Sequence, residues 1–146
     1  MGGLLSSFRD SETVWYLSAA GRREIESDKV RKKTLHVRHT LLRNEYYIEK
    51  QPAEFRVEFT LKWDSNVIIA DALYRMKKFD PYRILEVDIS QSMASNIRKI
   101  ALYKELRDSG RWRNGPFPFV TYVTVNESRA KRLNEALRGI GEAIIL

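Results

Sequence analysis

Three carboxylates stand where carboxylates are costly. Asp71 interrupts the apolar run Val67-Ile68-Ile69-Ala70-Asp71-Ala72-Leu73-Tyr74, and Glu86 and Asp88 interrupt Tyr82-Arg83-Ile84-Leu85-Glu86-Val87-Asp88-Ile89. Strand alternation puts Glu86 and Asp88 on one face. Burying such groups is strongly unfavourable unless they are paired, hydrogen-bonded or bound to metal. If the two runs pair as a hairpin, all three converge, and their repulsion raises at least one pKa or recruits a divalent cation. Three oxygen ligands with open positions left for water and phosphate suit Mg²⁺ or Mn²⁺, which polarise a phosphate and acidify an attacking water. The chemistry implied is metal-dependent phosphodiester hydrolysis. The competing reading is structural, with Glu86 and Asp88 salt-bridged to Arg83, Arg98 or Lys99.

Composition narrows the choice of cation and partner. The 146 residues contain no cysteine and only His36 and His39, which excludes disulfide scaffolds, thiol catalysis and cysteine-based zinc sites. Two histidines three apart on a basic helix read more readily as phosphate or core contacts than as ligands. Lys and Arg number 26 against 19 Asp and Glu, a net charge of +7, so a polyanion is the first partner to expect. The excess is concentrated in two stretches. One includes Arg31, Lys32, Lys33, Arg38 and Arg43; the other runs from Arg98 to Arg113 and ends in Arg111-Trp112-Arg113. Phosphate contacts from such stretches give salt-sensitive affinity without sequence information, and Trp112, in a loop rich in Gly, Asn and Arg, is placed to stack on a base. Solvated faces are the alternative. No apolar run reaches membrane-spanning length, and Met1-Gly2-Gly3-Leu4-Leu5-Ser6-Ser7 is too short for a signal peptide, which sets the expectation of a cytoplasmic protein without a membrane partner.

The elements that must position these residues follow from periodicity. Thr13 to Leu17 is a short β-rich run, Ser18 to Gly21 a small-residue turn, and Thr34 to Ile48 a helix. Glu54 to Leu61 alternates strictly, which predicts a strand with Phe55, Val57, Phe59 and Leu61 on its buried face. The Asp71 and Glu86 runs supply the next two strands, as an antiparallel meander. Ser92 to Arg107 is predicted helical, with Ile97, Ile100, Ala101 and Lys104 on one stripe, ending near Gly110. A strand from Phe119 to Val125, a helix through Ala130, Leu133 and Leu137 after an Asn126 cap, and a last strand at Ala143 to Leu146 complete the chain. Phe55, Phe59, Phe119 and Tyr122 are assigned to the core. The order αβββαβαβ, with a crossover in the second half, predicts an α/β protein with a mixed central sheet flanked by helices.

At this point the residues resemble a known arrangement. The Asp71 strand, the Glu86-Val87-Asp88 strand and a helix bearing Lys99 and Tyr103 look like the PD-(D/E)xK, or restriction-endonuclease-like, core. More closely, Thr34-Leu35-His36-Val37-Arg38-His39-Thr40-Leu41, Ile69-Ala70-Asp71-Ala72-Leu73, Leu85-Glu86-Val87-Asp88, Arg98-Lys99-Ile100-Ala101-Leu102-Tyr103 and Phe117-Pro118-Phe119-Val120 are similar to the replication-relaxation family of plasmid and mobile-element proteins. The resemblance spans roughly Trp15 to Arg132 and implies a DNA-processing function. It makes Asp71 and Glu86 the acidic motif residues. Asp88 stands where a lysine is usual, and Lys99 is the residue that would migrate into the site; Gln91, Glu45 and Tyr103 become supporting candidates. Val14 to Arg23 resembles the wing and exit of a winged-helix domain, which divides the chain into an appendage at 1–30 and the nuclease-like domain at 31–146.

The expectation is therefore a Mg²⁺- or Mn²⁺-dependent DNA nuclease or nickase, with Asp71, Glu86 and Asp88 on the metal and Lys99 assisting. A catalytically inactive DNA-binding or assembly module with the same fold is the alternative. A homodimer would suit cutting of two strands.

Overall fold

The computed structural model describes residues 19–146, with side chains from Lys32 onward. Among the described residues, three helices and five strands follow the predicted order: α1 (Ala19–Lys50), β1 (Glu54–Trp63), β2 (Asn66–Arg75), β3 (Arg83–Val87), α2 (Met93–Ser109), β4 (Phe119–Thr124), α3 (Glu127–Ala136) and β5 (Gly141–Ile145). The segment read as a wing lies largely outside the described residues. Ala19, Ala20 and Gly21, expected to form a turn, are already helical. The chain divides into two units between Leu41 and Leu42, inside α1. In the first, His36, Val37, Thr40 and Leu41 line a shallow cavity of about 280 Å³.

The second unit contains one sheet of order β1-β2-β3-β4-β5. β1, β2 and β3 pair antiparallel, as their short connections require, whereas β3, β4 and β5 pair parallel through the crossover helices α2 and α3. Capping sets the helix ends. Ser92 accepts the Ser95 N–H at 3.1 Å to start α2, and Asn126 accepts the Arg129 N–H at 2.9 Å to start α3. Gly110, at φ 71°, closes α2 in the left-handed conformation that glycine adopts without steric cost. Gly141 is needed for a different reason. A Cβ there would meet the Val120 carbonyl oxygen at 1.8 Å, so only glycine lets β5 pair with β4 at this point.

The core joins Leu61, Trp63 and Ile68 of the first hairpin to Ile100, Tyr103 and Leu106 of α2, Tyr122 of β4 and Leu133 of α3. Three sequence expectations need correction. Phe59 and Leu61 join this core, but Val57 is exposed and Phe55 packs instead against Tyr47 and Tyr74. The exchange occurs at Glu58, whose φ of 52° breaks the alternation, where the register passes from Val57↔Ala72 to Phe59↔Ala70. On α2 the buried stripe is Met93, Asn96, Ile100, Tyr103 and Leu106, while Ile97 and Ala101 face solvent. Phe119, expected in the core, is 41% exposed because it opens β4 at the end of the sheet.

Candidate carboxylate and lysine site

Asp71 and Glu86 meet because β2 and β3 form the hairpin that their apolar runs demand. The paired register ends at Ala72↔Leu85, and Asp71 and Glu86 are the next residues on each strand. Asp71 Oδ2 accepts the Val87 N–H at 2.7 Å, so the carboxylate takes a backbone donor at the point where the ladder stops. The left-handed residue Glu58 on β1 and the end of the β2–β3 register therefore lie on either side of Asp71.

Glu86 is buried beneath α2. Lys99 Nζ donates to its Oε1 at 2.8 Å and also to the Ile69 carbonyl at 2.8 Å, while the Tyr103 hydroxyl donates to Oε2. Lys99 and Tyr103 are four apart on one helix, so both point at the same strand residue. Burial pushes the Glu86 carboxyl up to about 7; Lys99 works against that shift and the neighbouring charge of Asp71 adds to it. Tyr122, opposite Glu86 in the β3–β4 register, is buried, and its hydroxyl has no hydrogen-bond partner. Burial first, then the charges of Glu86, Asp71 and Asp88, raise its pKa far above the ordinary tyrosine value. It therefore stays protonated, a donor in an acidic site.

Asp88 has a different role. Arg129 of α3 grips it twice, Nε to Oδ2 at 2.7 Å and Nη2 to Oδ1 at 2.8 Å, and Asn96 and Thr124 donate at 3.0 and 2.8 Å. Burial acts to raise its pKa, but the bonds from Arg129, Asn96 and Thr124 outweigh that and hold it below the usual aspartate value. Arg129 also donates to the Gln91 carbonyl, tying α3 to the β3–α2 connection. Among the described residues, no group of three or more His, Cys, Asp or Glu side chains is placed to hold a metal ion.

The supporting residues separate in the same way. Tyr103 belongs to the site. Gln91 staples its own loop, accepting from Ile89 N–H at 3.1 Å and donating to the Val87 carbonyl at 3.1 Å. Glu45 is exposed on α1. Of the expected DNA contacts, Arg31 has no described side chain; Lys32, Arg38 and Arg113 are exposed, and Lys33 and Arg43 are half-buried. Arg111 pairs with Asp64 at 2.7 Å. Trp112 is half-buried and makes edge contacts with Tyr82 and Phe117 at centroid distances of 6.4 and 6.3 Å.

Sequence reasoning missed Tyr122 and Arg129. Tyr122 was legible in principle, since a βαβ crossover places β4 beside β3 and alternation gives Val120, Tyr122 and Thr124 the same face. Arg129 had no comparable signal; its partner is 41 residues away and is reached only through the packing of α3.

The fold and its buried cluster define a mixed-sheet α/β domain with a carboxylate, lysine and tyrosine site at the end of the β2–β3 hairpin. The chain belongs to the replication-relaxation family, whose family model matches residues 2–120. That span covers Asp71, Glu86, Asp88 and Lys99, and membership links the chain to replication or relaxation of mobile elements. No curated protein and no solved structure gave a match. No helix among the described residues is long and apolar enough to cross a membrane.

Proposed function

We propose that this protein binds and processes the DNA of a mobile genetic element, and that Asp71, Glu86 and Lys99 form a Mg²⁺- or Mn²⁺-dependent phosphodiester-hydrolysing site. The observation that carries the reading is Lys99 Nζ 2.8 Å from Glu86 Oε1, beside Asp71. An amine on α2 thus occupies the role that Asp88 cannot fill. Two carboxylates with waters and substrate phosphate are an ordinary oxygen set for Mg²⁺, and the unpartnered Tyr122 hydroxyl leaves a donor for a further oxygen. Asp71 and Glu86 fit such an ion; Asp88, committed to Arg129, serves the scaffold. A bound cation would polarise the scissile phosphate and acidify water.

The chain's own residues supply the rest. Tyr103 orients Glu86, and Lys99 offers positive charge to a phosphate oxygen as negative charge develops there. Glu86, which a bound cation would hold ionised, keeps its orientation through the bonds it accepts from Lys99 and Tyr103. The test is nicking of supercoiled plasmid in Mg²⁺ or Mn²⁺ by the wild type and by Asp71→Asn, an amide that still accepts the Val87 N–H. Nicking that the variant lacks supports the reading. Equal activity in both would sink it.

One observation favours a second reading. Both Glu86 oxygens already have donors, as in a closed structural cluster. A non-catalytic module would bind DNA with salt sensitivity but no response to chelator, and would nick nothing.

A further inference from the structure

The end of the sheet away from Asp71 and Glu86 turns aromatic rings toward solvent. In the β2–β3 turn Phe79 is 84% exposed, with φ at 77°, a left-handed backbone that a bulky side chain seldom adopts. Folding gains no burial from this ring, and an exposed side chain held in a strained conformation points toward function more than packing. Lys77 and Lys78 precede it, both exposed, with Lys78 Nζ 5.3 Å from the ring centroid. Directly after it, Pro81, Tyr82, Arg83, Phe117 and Phe119 line a groove of about 470 Å³, within the ~300–1,000 Å³ range of small-ligand sites. Trp112 backs the groove through its edge contacts with Tyr82 and Phe117.

We infer that this end of the sheet is a stacking site for unpaired nucleobases of single-stranded DNA. Phe79 and Phe119 offer ring faces, while Lys77, Lys78 and Arg83 hold the phosphates on either side. Asp80 and Glu142, on the groove wall, repel phosphate and accept hydrogen bonds from base amino and imino groups, so the base enters and the backbone stays outside. The inference rests on the DNA reading above and adds a substrate preference to it. The same hairpin then carries strand engagement at its turn and the Asp71–Glu86 pair at its other end.

The experiment compares fluorescein-labelled oligo-dT, an abasic oligonucleotide of equal length and a duplex, bound to wild type, Phe79→Ala and Phe79→Trp. Wild type is expected to favour oligo-dT over the abasic strand by about five- to tenfold, the effect of one stacked base. Phe79→Ala loses that preference and keeps its duplex affinity, whereas Phe79→Trp retains it and its indole emission is quenched by oligo-dT only. Because Phe79 is exposed, unchanged circular dichroism accompanies these variants. Equal wild-type affinity for oligo-dT and the abasic strand overturns the stacking site while leaving plasmid nicking and duplex binding intact. Absence of binding to all three DNAs overturns the inference together with the DNA reading, and so does binding of a protein partner at Phe79 in place of any oligonucleotide.

Discussion

Glu86 and Asp88 are two residues apart, both buried beneath the helices on one face of the sheet, yet their environments are opposite. Asp88 has a bidentate guanidinium, an amide and a hydroxyl, four donor contacts that satisfy an ionised carboxylate. Glu86 has one ammonium, one phenol and a second carboxylate nearby, so burial prevails and its carboxyl rises to about 7. The contrast shows that burial alone does not raise an acid's pKa; the number and charge of its donors decide. Asp88 joins β3 to α3, and Glu86 is left poised near neutrality.

The contrast would break most visibly in catalysis. Lys99→Met should lower metal-dependent nicking by about 100-fold or more, the scale of losing one positioned charge or proton-transfer group, as measured by plasmid relaxation rates. Asp88→Asn should leave the metal dependence in place but weaken folding by about 3 kcal/mol, because Arg129 loses its buried counter-charge; urea unfolding measures this.

A pH series sharpens the comparison further. A carboxyl whose folded pKa is raised stabilises the protein fully below its unfolded value of about 4.5, and that contribution is lost as pH rises through 7. The wild type should therefore lose roughly 2–3 kcal/mol between pH 4.5 and 8 relative to Glu86→Gln, which has no proton to release. Asp88 acts in the opposite sense, contributing above its unfolded value of 3.8 and failing as pH falls below it. The smallest effect belongs to Tyr122→Phe. Removing a buried hydroxyl without a partner should change stability by about 1 kcal/mol or less, on the stabilising side, in a thermal melt.

Much of this protein was readable before its fold. The element order, the antiparallel meander, the parallel second half and the Asn126 cap follow from period, turn residues and connection length, all of them local signals. So does the meeting of Asp71 and Glu86, since a hairpin fixes the register of its two strands. Local periodicity erred where the backbone left regularity. The left-handed φ at Glu58 reversed the face of Val57, and the chain entering β4 at the sheet's end exposed Phe119.

What the sequence determined by itself was the supply of charges and the strands that carry them, because alternation and hairpin pairing act over a few residues. Which acid became the scaffold and which the poised group was decided in three dimensions. Lys99 and Tyr103 reach Glu86 across 13 and 17 residues, and Arg129 reaches Asp88 across 41. Helix packing onto the sheet sets those distances, and a carboxylate's pKa depends on the groups within a few ångströms of it, whatever their separation along the chain.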